Sequence, residues 1–299
     1  FRNHDQSIDE LLKQADIALY QAKSSRRNTL RFFDHEMQEK VTFRAQLEED
    51  LRGAIKGNQF ILYFQPQNYF NGQIVGAEVL LRWNHPWQGL ISPVEFISLA
   101  EETGLIVPIG QWVLDAACIC LKAWENSPTM AHLKIAVNVS AKQFRQNDYT
   151  DLVKQTLLRH EVNPNRLKLE ITESLVLDNI NDTIEKMHVL KALGVYFSMD
   201  DFGTGYSSLS SLKKLPLDQL KIDQSFVRDI SVDPDDMIIV QTIIAMAKNL
   251  GMEIIAEGVE TKEQLAFLHQ EGCPIFQGYL FSKPLPLAEF EQFVARGAF

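Results

Sequence analysis

Cysteine is scarce in this 299-residue chain: Cys118, Cys120 and Cys273 form an odd count with no Cys-x-x-Cys pair. That excludes a disulfide framework and fits reduced thiols in a cytoplasm, each serving as a small buried apolar residue. Positive charge is also short, with 29 Lys and Arg against 39 Asp and Glu, a net charge of -10 and a pI near 5.2. Such a balance excludes a general nucleic-acid-binding surface, and with it a DNA or RNA polymer as partner. It still admits an anionic small ligand joined to acidic side chains through metal ions. No long apolar run is unbroken: the most apolar window, 106–124, contains Gln111, Asp115 and Lys122 and reads as a core helix. The chain opens at Phe1 without an initiating Met or a charged-then-apolar leader. The expectation is a cytoplasmic piece of a longer protein, with any sensor or membrane anchor upstream.

What is present is a globular composition, 45% hydrophobic and 23% charged, long enough for one large barrel or two ordinary domains. Apolar residues at helical spacing over 8–22 predict a helix, and 29–33 a short strand. A charged linker helix follows over 36–57, with Val41, Leu47, Leu51 and Ile55 on its apolar side. Beyond it, β-rich runs alternate with helical stretches: 61–65, 74–83, 134–140, 167–172, 195–200, 220–223, 253–257 and 275–281. About eight strands with intervening helices predict an α/β fold, a (β/α)8 TIM-like barrel. Its first two runs are joined by a short connection holding Asn71-Gly72. That connection suits an antiparallel hairpin, so one strand is expected to run against the others.

The stretch 198–209 draws the chemistry together. Val195, Phe197 and Met199 alternate with Tyr196 and Ser198, the strand then ends in Asp200-Asp201, and a loop spaced by Gly203 and Gly205 follows. An isolated Asp-Asp pair also reads as a turn capping the next helix. Other strands end alike, however. Glu78 and Arg82 share a face, as do Asn138 and Ser140, and Lys221 and Asp223, while Glu170 sits within the run 167–174 and Glu257 follows Ile254-Ile255-Ala256. Taken singly, each could form a salt bridge on the rim. Several carboxylates gathered at the C-terminal ends of barrel strands would repel one another without a cation, so metal binding explains the group better.

In this order, the motifs resemble those of EAL-domain cyclic di-GMP phosphodiesterases from about residue 60 to 299, with the signature triplet as Glu78-Val79-Leu80. Val79 replaces the family's Ala and faces away from Glu78. The resemblance implies that Glu78, Asn138, Glu170 and Asp200 hold one divalent ion. Asp200 would bridge to a second ion approached by Asp201, Asp223 and Glu257. Lys221 and Glu257 would handle the attacking water, with Asp223 beside them. Gln65, Arg82 and Gln277 match substrate-contacting positions, while Glu173 and Glu260 match supports of the loop after Asp201. The sequence departs from the family at Pro274, where many relatives carry Asp. Residues 8–23, followed by Arg27-Asn28, resemble the last helix of a GGDEF diguanylate cyclase domain whose signature loop is absent. The implied division is 1–34 as that remnant, 35–57 as linker and 58–299 as the EAL barrel. A homodimer through the barrel, with upstream GGDEF and sensor domains, is implied as well.

The expected reaction is hydrolysis of cyclic di-GMP to 5′-pGpG with two divalent cations, Mg²⁺ or Mn²⁺. Ca²⁺, which takes about 6–8 ligands at longer distances, is expected to inhibit by binding without cleavage. Two rivals stand beside this: a catalytically silent cyclic di-GMP receptor, and a glycosidase with paired carboxylates. Asn138, Lys221 and the glycine-spaced loop have no clear use in the glycosidase.

Overall fold

In the computed structural model, which describes residues 7–24, 30, 32–203, 212–230 and 232–297, the barrel begins with a hairpin. β1 (Phe60–Tyr69) and β2 (Ile74–His85) pair antiparallel along most of their length. Gly72 turns the chain between them at φ 83°, and Asn68 Nδ2 donates to its carbonyl at 3.1 Å. A side chain at that φ would be strained, so Asn71-Gly72 fixes the reversal. After β2 and a short antiparallel extension, β3 (Gly89–Ile91), come β4 (Lys134–Val139), β5 (Leu167–Thr172), β6 (Tyr196–Phe202), β7 (Gln219–Ile222), β8 (Glu253–Ala256) and β9 (Ile275–Phe276). Every neighbouring pair from β2 through β4 to β9 is parallel, and β9 returns antiparallel to β1. The result is a closed eight-stranded barrel in which β1 alone runs against the ring.

Reversing β1 leaves a seam that no crossover helix covers. Aromatic side chains and the last helix fill it instead. Phe64, Trp124 and Phe290 pack with centroids 5.5–5.8 Å apart, and Trp124 Nε1 donates to Glu291 Oε1 at 2.8 Å. Phe290 belongs to helix Leu287–Arg296, and β10 (Leu285–Pro286) lines that helix up along β1. At the other end of the hairpin Phe60, Trp83, Phe96 and Trp112 form a second cluster. Buried aromatic pairs of this kind each add roughly 0.5–1.5 kcal/mol beyond their area.

Helix Ile106–Ala123 is long and apolar enough to cross a membrane, but it lies against β4 with Ile109, Leu114, Ala117 and Leu121 in the core. Its polar interruption is structural: Asp115 holds Arg159 at 3.0 Å and His160 at 2.9 Å on the neighbouring helix. The helix expected as a linker spans His35–Ala54, capped by Asp34 on Met37 N–H. Its second half joins the barrel, because Leu47, Leu51 and Ala54 are buried in the common core and Asp50 meets His85 at 3.3 Å. Ahead of it stands helix Ile8–Ser24. The strand expected over 29–33 is not found: Leu30, Phe32 and Phe33 lie outside regular structure, and the other two residues, with Arg27-Asn28, fall outside the described residues.

All three cysteines are buried, and burial first of all pushes their thiols up, to about 12 for Cys118 and Cys273 and about 11 for Cys120. At pH 8 the thiolate fraction is then roughly one in a thousand or less. A disulfide reagent such as DTNB is expected to leave native protein unmodified and to titrate three thiols after denaturation; rapid native labelling would contradict the packing.

Candidate active site

Alternation along the strands selects which residues enter the barrel. Gln65 and Gln67 on β1, Glu78 on β2, Lys168 and Glu170 on β5, Ser198 and Asp200 on β6, and Gln219 and Lys221 on β7 are spaced by two and meet in the interior. At the centre stands Lys221, 1% exposed. Its Nζ lies 2.5 Å from Glu257 Oε1, 2.7 Å from Glu170 Oε2, 3.1 Å from Asp200 Oδ1 and 3.5 Å from Glu78 Oε2.

Electrostatics here are a contest between burial and charge. Burial opposes the Lys221 ammonium, but Glu170, Glu257, Glu78 and Asp200 outweigh it and hold the group well above its ordinary range. Burial pushes Glu170 up to about 8 despite Lys221, and the charges of Glu78 and Asp200 push the same way. Glu257 is raised well above the usual carboxylate range, again chiefly by burial. Glu78 moves the other way. Burial is outweighed there by Lys221 and by hydrogen bonds from Gln277 Nε2 at 2.6 Å and Asn138 Nδ2 at 2.6 Å.

One irregularity places the aspartates. Between β6 and β7 the register runs Met199↔Leu220 and then Phe202↔Ile222, so Asp200 and Asp201 both stand opposite Lys221. This is a bulge. Asp201 takes φ 53°, a left-handed conformation that Asp adopts more readily than most residues, and its N–H donates to Asp200 Oδ1 at 3.0 Å. Strict alternation would have sent Asp201 to the outer face. Burial, with Asp200 and Asp223 nearby, raises its carboxyl.

The other candidates sit farther out. Asp223 caps helix Gln224–Arg228, accepting from Ser225 N–H at 2.9 Å, and remains close enough to act on Asp201. Arg82 is half-buried, lies over the Tyr63 ring at 5.3 Å and donates to the Leu81 carbonyl. Gln277 Nε2 bridges Glu78 and Gln65 Oε1, the latter at 3.3 Å. Glu173 is buried in the first turn of helix Glu173–Asp178. Of the loop over 202–208 that it was expected to anchor, residues 204–208 lie outside the described residues. Glu260 is exposed beside a cavity of about 240 Å³ that it shares with Asp223, Ser225 and Gln264.

The donor set suits a hard cation. Four carboxylates face one ammonium, and Glu170 Oε1 is buried with no hydrogen-bond partner. Yet among the described residues no three Asp, Glu, His or Cys side chains form a ready coordination sphere. As they stand, the carboxylates are gathered on Lys221, and a cation would have to draw them from it.

A family model described as the EAL domain matches residues 48–284. The chain belongs to the EAL domain family. It is 44% identical to the bifunctional diguanylate cyclase/cyclic di-GMP phosphodiesterase MucR of Pseudomonas aeruginosa, over 97% of this chain and 42% of that protein. Identity to the cyclic di-GMP phosphodiesterase NbdA of the same organism is 43%, over 98% of this chain and 38% of that one. The chain thus spans about two-fifths of the length of these curated relatives. A solved structure of the P. aeruginosa MucR phosphodiesterase in complex with c-di-GMP superposes with a TM-score of 0.79 at 46% identity, covering 82% of this chain and 99% of that one.

This EAL barrel also holds polar residues that the sequence-based set omitted: Gln67, Lys168 and Gln219, all buried beneath the carboxylates. The signal was available, since each lies two positions from a selected residue on the same strand face, namely Gln65, Glu170 and Lys221. Burial pulls Lys168 down to about 8, against the pull of Glu170 and Glu253. The expected strand 275–281 stops at Phe276 because the chain there folds onto Val259. Gln277 and Leu280 exchange backbone hydrogen bonds with Val259, and a Cβ on Gly278 would stand 2.1 Å from the Val259 carbonyl oxygen. Gly278→Ala is therefore expected to cost about 1–3 kcal/mol in urea unfolding and to displace Gln277; an unchanged midpoint would show that the contact is not tight.

Proposed function

We propose that this domain hydrolyses cyclic di-GMP to 5′-pGpG, lowering the concentration of a bacterial second messenger. The observation that carries the reading is Lys221 buried among four carboxylates at the mouth of an EAL barrel, next to the bulged Asp200-Asp201 pair. Names of the relatives support the same activity. Within this proposal residues 1–34 end a preceding GGDEF domain, 35–57 connect it, the barrel forms a homodimer, and the domain works in the cytoplasm.

Glu78, Asn138, Glu170, Asp200 and Asp201 would hold two divalent cations, Mg²⁺ or Mn²⁺. Such ions supply Lewis-acid stabilisation of phosphate charge and a more acidic water. Gln65, Arg82 and Gln277 would orient the dinucleotide, with the Arg82 guanidinium paired to a phosphate. Lys221, freed from part of its carboxylate shell, would donate to the water and offset negative charge developing at the phosphate. Glu257 would accept the water's proton once an entering cation had favoured its ionised form, burial making it a stronger base than a free carboxylate. Asp223 would steady this pair from the helix it caps. Glu173 and Glu260 would support the loop after Asp201.

Purified protein is expected to release 5′-pGpG with Mg²⁺ or Mn²⁺ and to bind cyclic di-GMP without cleavage in Ca²⁺, as followed by chromatography of the nucleotides. Binding with no product in any metal would make the domain a receptor. Lys221→Ala is expected to lower kcat by about 10²-fold or more, because its partners are the water and the transition-state charge. An effect confined to KM would remove Lys221 from the chemical step.

A further inference from the structure

Below the carboxylates the barrel interior is crossed by a chain of side-chain amides with an ammonium at its foot. Lys168 Nζ donates to Gln219 Oε1 at 2.7 Å and to Gln67 Oε1 at 3.3 Å. Gln67 Nε2 donates to Gln277 Oε1 at 3.0 Å, and Gln277 Nε2 donates to Glu78 Oε2 at 2.6 Å and Gln65 Oε1 at 3.3 Å. An amide presents an oxygen at one side and an NH₂ at the other, and the two ends are nearly equal in size. An ammonium has donors only. Gln67 must therefore turn its oxygen down to Lys168 and its NH₂ up to Gln277, which in turn must offer its oxygen to Gln67 and its NH₂ to Glu78.

Gln219 shows that Lys168 dictates these orientations. Its Oε1 accepts from both Lys168 and Ser198, at 2.7 and 3.2 Å, while its own Nε2 is buried without a partner. A buried donor left unsatisfied is unfavourable, so this side chain is oriented for its oxygen alone. The ammonium sets the direction.

We propose that Lys168 is a positioning residue that reinforces, from the foot of the relay, the amide orientations of Gln67 and Gln277, and through them holds Glu78 where Asn138 and Gln277 donate to it, the pose from which it would take up a cation. Without Lys168 the orientation of both amides rests on the Glu78 carboxylate alone, and both reverse more readily. Reversal brings Gln277 Oε1 against Glu78 Oε2, two acceptors at hydrogen-bonding distance, and Glu78 must swing away from Asn138. The proposal rests on the phosphodiesterase reading only for its consequence in turnover; the relay itself is read out by metal binding.

The test is a double-mutant cycle with Lys168→Met and Gln67→Leu, measuring Mn²⁺ affinity by calorimetry in the absence of nucleotide, with melting temperature and turnover alongside. Lys168→Met is expected to weaken Mn²⁺ binding about fivefold to tenfold. Its melting temperature should hold or rise, because a buried charge is removed. Gln67→Leu should show the same weakening, and adding Lys168→Met to it should change Mn²⁺ affinity no further. Additive losses, or a lowered melting temperature with unchanged Mn²⁺ affinity, would make Lys168 a packing residue and overturn the relay. If Lys168→Met does not fold, Gln67→Leu decides alone, unchanged affinity refuting the proposal. Wild-type protein that binds Mn²⁺ but yields no 5′-pGpG would fail the functional reading and leave the cycle readable.

Discussion

The site depends on one ammonium that cannot balance its surroundings. Lys221 is buried and meets Glu78, Glu170, Asp200 and Glu257, so at least one carboxylate must be protonated or another cation must enter. Burial decides which groups yield. Glu170 and Glu257 shift toward the neutral acid, whereas Glu78 stays ionised because Asn138 and Gln277 donate to it. A cation entering this pocket would therefore displace protons from it.

That arrangement needs a barrel whose interior admits polar atoms. Most of its strand faces are apolar, and the core outside the ring is continuous from Leu51 to Phe290. Inside, Gln67 and Gln219 accept from Lys168, and Gln219 also from Ser198, so the carboxylate layer rests on a hydrogen-bonded floor. The reversed β1 contributes directly to this floor. It brings Gln65 and Gln67 opposite Glu78 and Gly76 in the hairpin register, beside Gln277 from the far end of the chain.

Much of this was legible in the residues. The Asn71-Gly72 turn announced the antiparallel hairpin, and the spacing by two put Glu78 with Arg82 and Lys221 with Asp223 on shared faces of runs that, like those of Glu170 and Asp200, end at one rim. Residues two apart on a strand share a face whatever the rest of the chain does, which is why those assignments survive. Less legible was the role of 35–57: its charge pattern reads as a linker, while Leu47 and Leu51 are buried in the common core and Asp50 meets His85 of β2.

By itself, then, the sequence determined the alternation of strands and helices, the hairpin and the polar residues at strand ends, because turn chemistry and a period of two are local properties. Only the tertiary structure decided that four carboxylates meet one lysine, since Glu78, Glu170, Asp200, Lys221 and Glu257 come from five different strands or strand ends. It also decided the bulge that lets Asp201 join Asp200, which depends on the register of a neighbouring strand. The directions of Gln67 and Gln277 belong to the same class. An amide reads alike from the sequence either way round, and which end faces Glu78 is set by that carboxylate together with an ammonium more than a hundred residues along the chain from Gln67.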